Sequence, residues 1–375
     1  MLHIFTGMKM SDDIVVLSLP LLAGVGIAAA LKLSPFVGAF CMAGAALCMA
    51  VMTLRKKRST LLAALTFLLL GAFTWSAHSA WSPGGTPPEG RNTREITSPA
   101  LPGRALRGLS AVITRIPFPH KETNALLLAL LTGRRELLDA HTVKAFRAAG
   151  ASHILALSGL HLGIIYLILS KFLFFLGNTR RAWLIRSAVI VFLSGFYTLI
   201  TGAGPSIVRA FIFITVAEIA RNCPGRRKTA SGTLCTALII QLCIKPAVIL
   251  SIGFQLSYLA MLGIFLLFPA LKDWYPSAGK QIERWDPLRR AWEAMALSLS
   301  CQVFTAPLVW LRFRIFPKFF LLSNLVSLPL SWCLITGGLL CTALEAAKIS
   351  PRLLVRAVDW IATLLIDSLE IIALM

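Results

Sequence analysis

Apolar segments of about 20 residues, set one after another along almost the whole chain, constrain this sequence more than any other feature. A segment of that length crosses the hydrocarbon core of a bilayer as a helix. Inside a bilayer every backbone polar group must be satisfied within the protein, which leaves helices or closed barrels. Roughly eleven such segments are read, near 14–31, 35–54, 60–78, 153–176, 182–201, 205–221, 229–244, 250–271, 291–311, 319–345 and 357–375. Charged residues make up only 14% of the chain and Asp plus Glu only 16 of 375 residues, whereas a soluble domain carries about 25% charge. The sequence cannot cover a water-facing surface. It predicts an all-α, polytopic helical membrane protein with about 10–11 transmembrane helices. The first segment is too long, and too polar in front, to be a cleaved signal peptide.

Breaks between the segments divide the chain. Residues 1–78 hold three N-terminal transmembrane helices. Residues 79–123, with Pro83, Pro87, Pro88, Pro99, Pro102, Pro117 and Pro119, read as a Pro-rich external linker with no strand alternation. From 124 to 150 the chain is amphipathic and too charged to span, which suits an interfacial position, with Asn124 as a candidate helix cap. Residues 124–345 form the main membrane domain, and 346–375 a C-terminal helix carrying Asp359, Asp367 and Glu370. That last helix packs on the bundle or lies in the interface. Seven of the eight Cys lie in apolar segments and no CxxC pair exists, so they read as small packing residues.

The net charge of +21 does not by itself imply nucleic acid, because Lys and Arg in cytoplasmic loops orient membrane proteins. With Arg55–Arg58 in the cytoplasm, alternation puts loops 177–186, 221–228, 272–290 and 346–356 there too. These five loops hold nineteen Lys and Arg, against five in the short external loops. The N-terminus is then cytoplasmic and 79–150 external. Two readings of the external cations stand side by side: a funnel for a polyanion, or contact with anionic headgroups.

Residues 147–166, RAAGASHILALSGLHLGIIY, carry the most polar chemistry in an apolar setting. Polar groups in membrane helices are costly and usually face the protein interior or a cavity. Ser158 and His161 share one helix face, and Gly159 permits close helix approach. They line a path, or they form an ordinary interhelical hydrogen bond. Arg147 meets phosphate or snorkels to headgroups, and His153 sits beside it. Arg209, four residues after Pro205, is phosphate-facing or structural. Gln255 and Ser257, in a helix that begins near Gly253, serve a sliding backbone or act as interhelical glue. Pro307, Asn324 and Pro329 suggest kinked or broken helices. Gly159, Pro205, Gly253, Pro307 and Pro329 are the expected structural breaks.

Four blocks in order resemble the competence domain of ComEC-type DNA-internalisation proteins. They are LTGRRELLDAHTVKAFRAAGASHILALSGLHLGIIYLIL, TGAGPSIVRAFIF, KPAVILSIGFQLSYLAMLGI and CQVFTAPLVWLRFRIFPKFFLLSNLVSLPL, spread over about 124–345. The family's OB-like external domain has only the 79–123 stretch in its place, about 45 residues and too few for a five-stranded barrel. The metallo-β-lactamase-like domain has no counterpart, since no HxHxDH run exists among the six His. The resemblance therefore implies a short, channel-only member of the bacterial inner membrane. It would conduct single-stranded DNA passively, with Arg147, His153, Ser158, His161, Arg209, Gln255, Ser257 and Asn324 as candidates for the DNA path. Implied partners are a periplasmic DNA-binding protein, a cytoplasmic helicase or translocase, and a second copy of the chain as a homo-oligomer. No cofactor or metal is expected, and no GxxxxGK[ST] loop binds a nucleotide. A secondary transporter of small solutes is the alternative, though no internal repeat supports it. An intramembrane hydrolase built on Ser158 and His161 is a third reading, without a GxSxG elbow or an orienting carboxylate.

Overall fold

A computed structural model describes residues 13–54, 60–81, 100–155, 157–177, 179–222, 230–275, 286–314 and 319–375. Among them there is no strand, and the protein is an all-α polytopic membrane protein. In chain order the α-helices are α1 Asp13–Ala30, α2 Pro35–Leu54, α3 Thr60–Trp81, α4 Ala100–Arg115, α5 Lys121–Thr132, α6 Ala140–Ala148, α7 Ser152–Leu155 and α8 Gly159–Phe172. They continue as α9 Arg180–Ile200, α10 Pro205–Asn222, α11 Ala230–Ile244, α12 Ile252–Leu266, α13 Phe268–Lys272, α14 Pro287–Phe313, α15 Phe320–Ala346 and α16 Arg352–Leu374. Each apolar segment read from sequence contains a helix, because an apolar run in lipid must bond its backbone internally. Among the described residues, five helical stretches are long and apolar enough to cross a membrane: Leu61–Ser79, Gly159–Leu176, Arg180–Ile200, Pro287–Arg312 and Phe320–Ala346. Four more are apolar and shorter: Ser18–Ala30, Pro35–Val51, Gly232–Ile244 and Ile252–Leu266.

Packing groups the chain differently from the segments read in sequence. One unit comprises Met1–Ile96 and Ile212–Gln255; the other comprises Thr97–Phe211 and Leu256–Met375. In the smaller unit α3 packs on both α1 and α2, and α11 on α1. Glycines bring α1 and α3 to backbone contact. A Cβ on Gly24 would stand 2.0 Å from the Leu68 carbonyl oxygen, and one on Gly71 2.3 Å from that of Leu21. Small residues at such crossings let helices gain dispersion contacts that lipid cannot supply.

The larger unit is built around α5. Its Leu126, Leu127 and Leu130 are fully buried, among Ile113 of α4, Phe146 of α6, Ile164 of α8, Leu334 of α15 and Ala362 of α16. The amphipathic stretch expected at 124–150 is thus two helices, the first of them a core helix. The LLLALL run is apolar on every side, so its helix goes to the core. It stops at Gly133, whose left-handed φ of 78° lets its N–H bond the Ala129 carbonyl. Only α6 keeps an amphipathic pattern, burying Thr142, Ala145 and Phe146 while Lys144 and Arg147 stay exposed.

The 79–123 linker reading is corrected in its second half. Residues 100–115 form α4, which buries Ser110 and Ile113 and exposes Arg104, Arg107 and Arg115. Pro102 lies in its first turn, where a missing N–H costs nothing. The first part of that linker, 82–99, lies outside the described residues. Asn124 is not a cap for its own helix. Its amide donates to the carbonyls of Ile113 and Ile116 at 2.9 and 3.1 Å and closes the end of α4.

The last helix packs on the bundle. One face of α16 (Val355, Val358, Ala362, Leu365, Leu369 and Ile372) enters the core, and Trp360, Ile371 and Leu374 point outward. Pro307 and Pro329 are not breaks, because α14 and α15 run on through them. One absent donor per proline is tolerated where packed neighbours hold the helix. Pro205 opens α10 at its first position, Gly253 is the second residue of α12, and Gly159 is the first of α8.

Candidate functional site

The span expected to begin at 153 begins instead at Gly159, after the short helix α7. The cause is local. Ser158 has extended backbone and caps α8, its Oγ accepting the Leu160 N–H at 3.3 Å. His161, three residues on, reaches back, and its Nδ1 accepts the Ser158 backbone N–H at 3.1 Å. The two side chains meet at 3.0 Å between Ser158 Oγ and His161 Nδ1. The i, i+3 pairing read in sequence is present as a capping box in which His replaces the usual Glu. His161 is 1% exposed, and its Nε2 has no hydrogen-bond partner among the described residues.

A base in a hydrolytic triad needs its far nitrogen oriented by a carboxylate. Here Nδ1 is committed to the cap and Nε2 meets no carboxylate. Nor does any group of three or more His, Cys, Asp or Glu converge as metal ligands among the described residues.

Gly159 lies against α10. A Cβ there would stand 3.2 Å from that of Ala210 and 4.0 Å from the Ser206 carbonyl oxygen. One residue before Ala210, Arg209 is 6% exposed. Its guanidinium donates to Ser206 Oγ at 3.3 Å and stands 5.5 Å over the Tyr258 ring of α12. A cation over an aromatic face recovers part of its lost hydration, which explains how α10 carries a buried Arg. The TGAG turn before α10 is closed by the Ala203 N–H, which donates to the Thr198 carbonyl at 2.9 Å, and the Tyr197 hydroxyl nearby in sequence donates to the Leu131 carbonyl at 2.8 Å.

The fourth block closes the set. The Ser323 hydroxyl of α15 donates to the Ala149 carbonyl at the end of α6. Contacts Gly159–Ala210, Arg209–Tyr258 and Ser323–Ala149 thus join those parts of the four sequence blocks that lie in the larger unit. On α15, Ser323, Ser327 and Ser331 are fully buried at spacings of four. Ser327 Oγ, Ser331 Oγ and Asn324 Oδ1 have no partner among the described residues.

The remaining candidates differ in exposure. Arg147 and His153 are exposed, and Ser257 is half-buried next to Tyr258. Gln255 falls in the smaller unit, where its amide donates to the Ile249 carbonyl at 2.8 Å; that is a structural bond. Sequence reasoning missed Tyr258, and it missed the serines of α15 although SNLVSLPLS displays their spacing. It also missed the partners of Asp359. That carboxylate, 4% exposed, accepts from Thr123 Oγ1 at 2.6 Å and from His120 Nδ1 at 2.8 Å.

Comparison with known proteins gives the family of the chain. The family model described as "Competence protein" matches residues 130–375, which include the four blocks. ComE operon protein 3 of Bacillus subtilis (strain 168) is 25% identical over 230 residues. The match covers 60% of this chain and 27% of that protein. No solved structure matches the chain.

Proposed function

The chain belongs to the competence protein family, and from that membership we propose that it forms an inner-membrane channel through which single-stranded DNA passes during natural transformation. The observation that carries the reading is that the four blocks contact one another in the larger unit, where His161, Arg209, Ser327 and Ser331 are buried polar side chains. A lipid-facing bundle has no use for such groups, whereas a polar strand crossing the membrane needs them. The N-terminus lies in the cytoplasm, and α4 and α6 face outward. Their exposed Arg104, Arg107, Lys144 and Arg147 collect phosphate before it reaches the membrane. The chain conducts and does not hydrolyse. A periplasmic DNA-binding protein delivers the strand and a cytoplasmic translocase draws it in.

The test is a transformation assay that scores labelled DNA in periplasm and cytoplasm separately. A deletion strain, and strains carrying Arg209→Ala or His161→Ala, should accumulate DNA outside the inner membrane. Cytoplasmic DNA should fall at least about tenfold, the loss expected for one buried charge-assisted contact. Normal cytoplasmic uptake in the deletion strain refutes the channel. Loss of the variant proteins from the membrane assigns the two residues to packing.

A further inference from the structure

The capping box at the start of α8 fixes more than a helix end. A backbone N–H can only donate, so His161 Nδ1, which takes the N–H of Ser158, carries no proton. In the neutral ring the proton then sits on Nε2. That N–H is a donor of fixed orientation, on a side chain 1% exposed, with no acceptor among the described residues. An unsatisfied buried donor is destabilising and calls for a reason.

A second, independent set of unsatisfied groups lies on the helix packed against it. α15 contacts α8, and Ile164, Leu334 and Ile335 share one core. His161 is one turn before Ile164 on its helix, and Ser331 is one turn before Leu334 and Ile335 on the other. Hydroxyls buried in helices normally bond the carbonyl four residues back. Ser300 does so at 2.7 Å, Thr342 at 2.7 Å and Thr198 at 2.8 Å. Ser327 and Ser331, fully buried on α15, make no such bond.

Resting on the channel reading, we propose that His161 Nε2–H and the hydroxyls of Ser327 and Ser331 form a neutral hydrogen-bonding subsite for the phosphodiester oxygens of the passing strand. Hydrogen bonds to an ionised acceptor are roughly twice as strong as neutral ones, so the set recognises phosphate. It carries no full charge, so each phosphate is released as the next arrives. His161 thus has two separable tasks: Nδ1 builds the helix start, and Nε2 meets the strand.

The tasks separate by substitution. Asn places an amide oxygen near Nδ1 and removes the far donor; Gln places an amide nitrogen near Nε2. The full chain, in lipid nanodiscs, is titrated with a fluorescent single-stranded oligonucleotide, and its thermal unfolding is recorded alongside. His161→Asn should unfold like the wild type and bind the oligonucleotide at least about tenfold more weakly, with His161→Gln recovering part of the loss. The Ser327→Ala, Ser331→Ala double variant loses no internal hydrogen bond, so it should be as stable as wild type or more so, and bind more weakly. Wild-type affinity in either His161→Asn or the double serine variant overturns the subsite. Reduced stability with unchanged affinity in both His161 variants assigns the ring to capping alone, which also overturns it. A wild-type chain that binds no oligonucleotide removes the channel reading instead, so the two failures are distinguishable.

Discussion

At the scale of single residues, a protein interior admits a polar side chain only with a partner or a task, and buried Asp359 has partners. Its carboxylate is tied to Thr123 and to both the ring and the backbone N–H of His120. These bonds hold α16 against the start of α5. Removing the carboxylate strands a buried hydroxyl and loosens the helix, so Asp359→Ala should cost about 2 kcal/mol or more. The exposed His120 adds a pH dependence. The hydrogen bond to Asp359, then the carboxylate's charge, raises its affinity for a proton; Glu122 and Asp367 add smaller pulls in the same direction. A folded-state value above the unfolded one means that the stabilisation is full below the unfolded value. It is lost as pH rises through the folded value. Thermal unfolding of the full chain from about pH 5.5 to about pH 8.5 should show stability declining, with a shallower slope in His120→Ala. An identical slope in that variant would remove His120 from the linkage. None of this was legible beforehand. Asp359 stood out in an apolar run, but its partners lie 236 and 239 residues away. Ser158 and His161, by contrast, were legible as a pair because only three residues separate them.

At the scale of elements, helix positions followed directly from the apolar runs, since length and hydropathy decide them in lipid. Their neighbours did not, because burial depends on the other helices. α5 reads as half of an amphipathic segment yet packs as a core helix, and Asn124 closes a helix that precedes its own. Close crossings are also invisible in one sequence, where Gly24 and Gly26 look equivalent. In the structure a Cβ on Gly24 would collide with the Leu68 carbonyl, while one on Gly26 meets nothing within 4 Å. Opposite effects are expected. Gly24→Ala must push α1 and α3 apart and should cost about 1–3 kcal/mol. Gly26→Ala should be neutral or stabilising by up to about 1 kcal/mol, because alanine is the better helix former. Thermal unfolding of the two variants in one detergent gives the comparison. Equal loss in both would mean that the crossing is looser than described.

At the scale of the whole molecule, charge decides which way the chain faces. Short loops assigned to one side hold nineteen Lys and Arg and those on the other five, a bias that orients inner-membrane proteins. The loops at 55–58 and 223–228 lie outside the described residues, so the orientation rests on sequence. It governs the channel reading, because α4 and α6 meet incoming DNA only from the external side. Cysteine scanning in a background without native Cys decides it. Arg107→Cys, exposed on α4, should react with a membrane-impermeant maleimide in intact cells. Lys57→Cys and Arg352→Cys should react only after the cells are opened. The reverse pattern would put 79–150 in the cytoplasm, and the exposed cations of α4 and α6 would then meet the strand only on its way out. Phosphate collection by those cations would have to be abandoned, while the buried groups around His161 and Arg209 would stand, since their contacts do not depend on which side faces out.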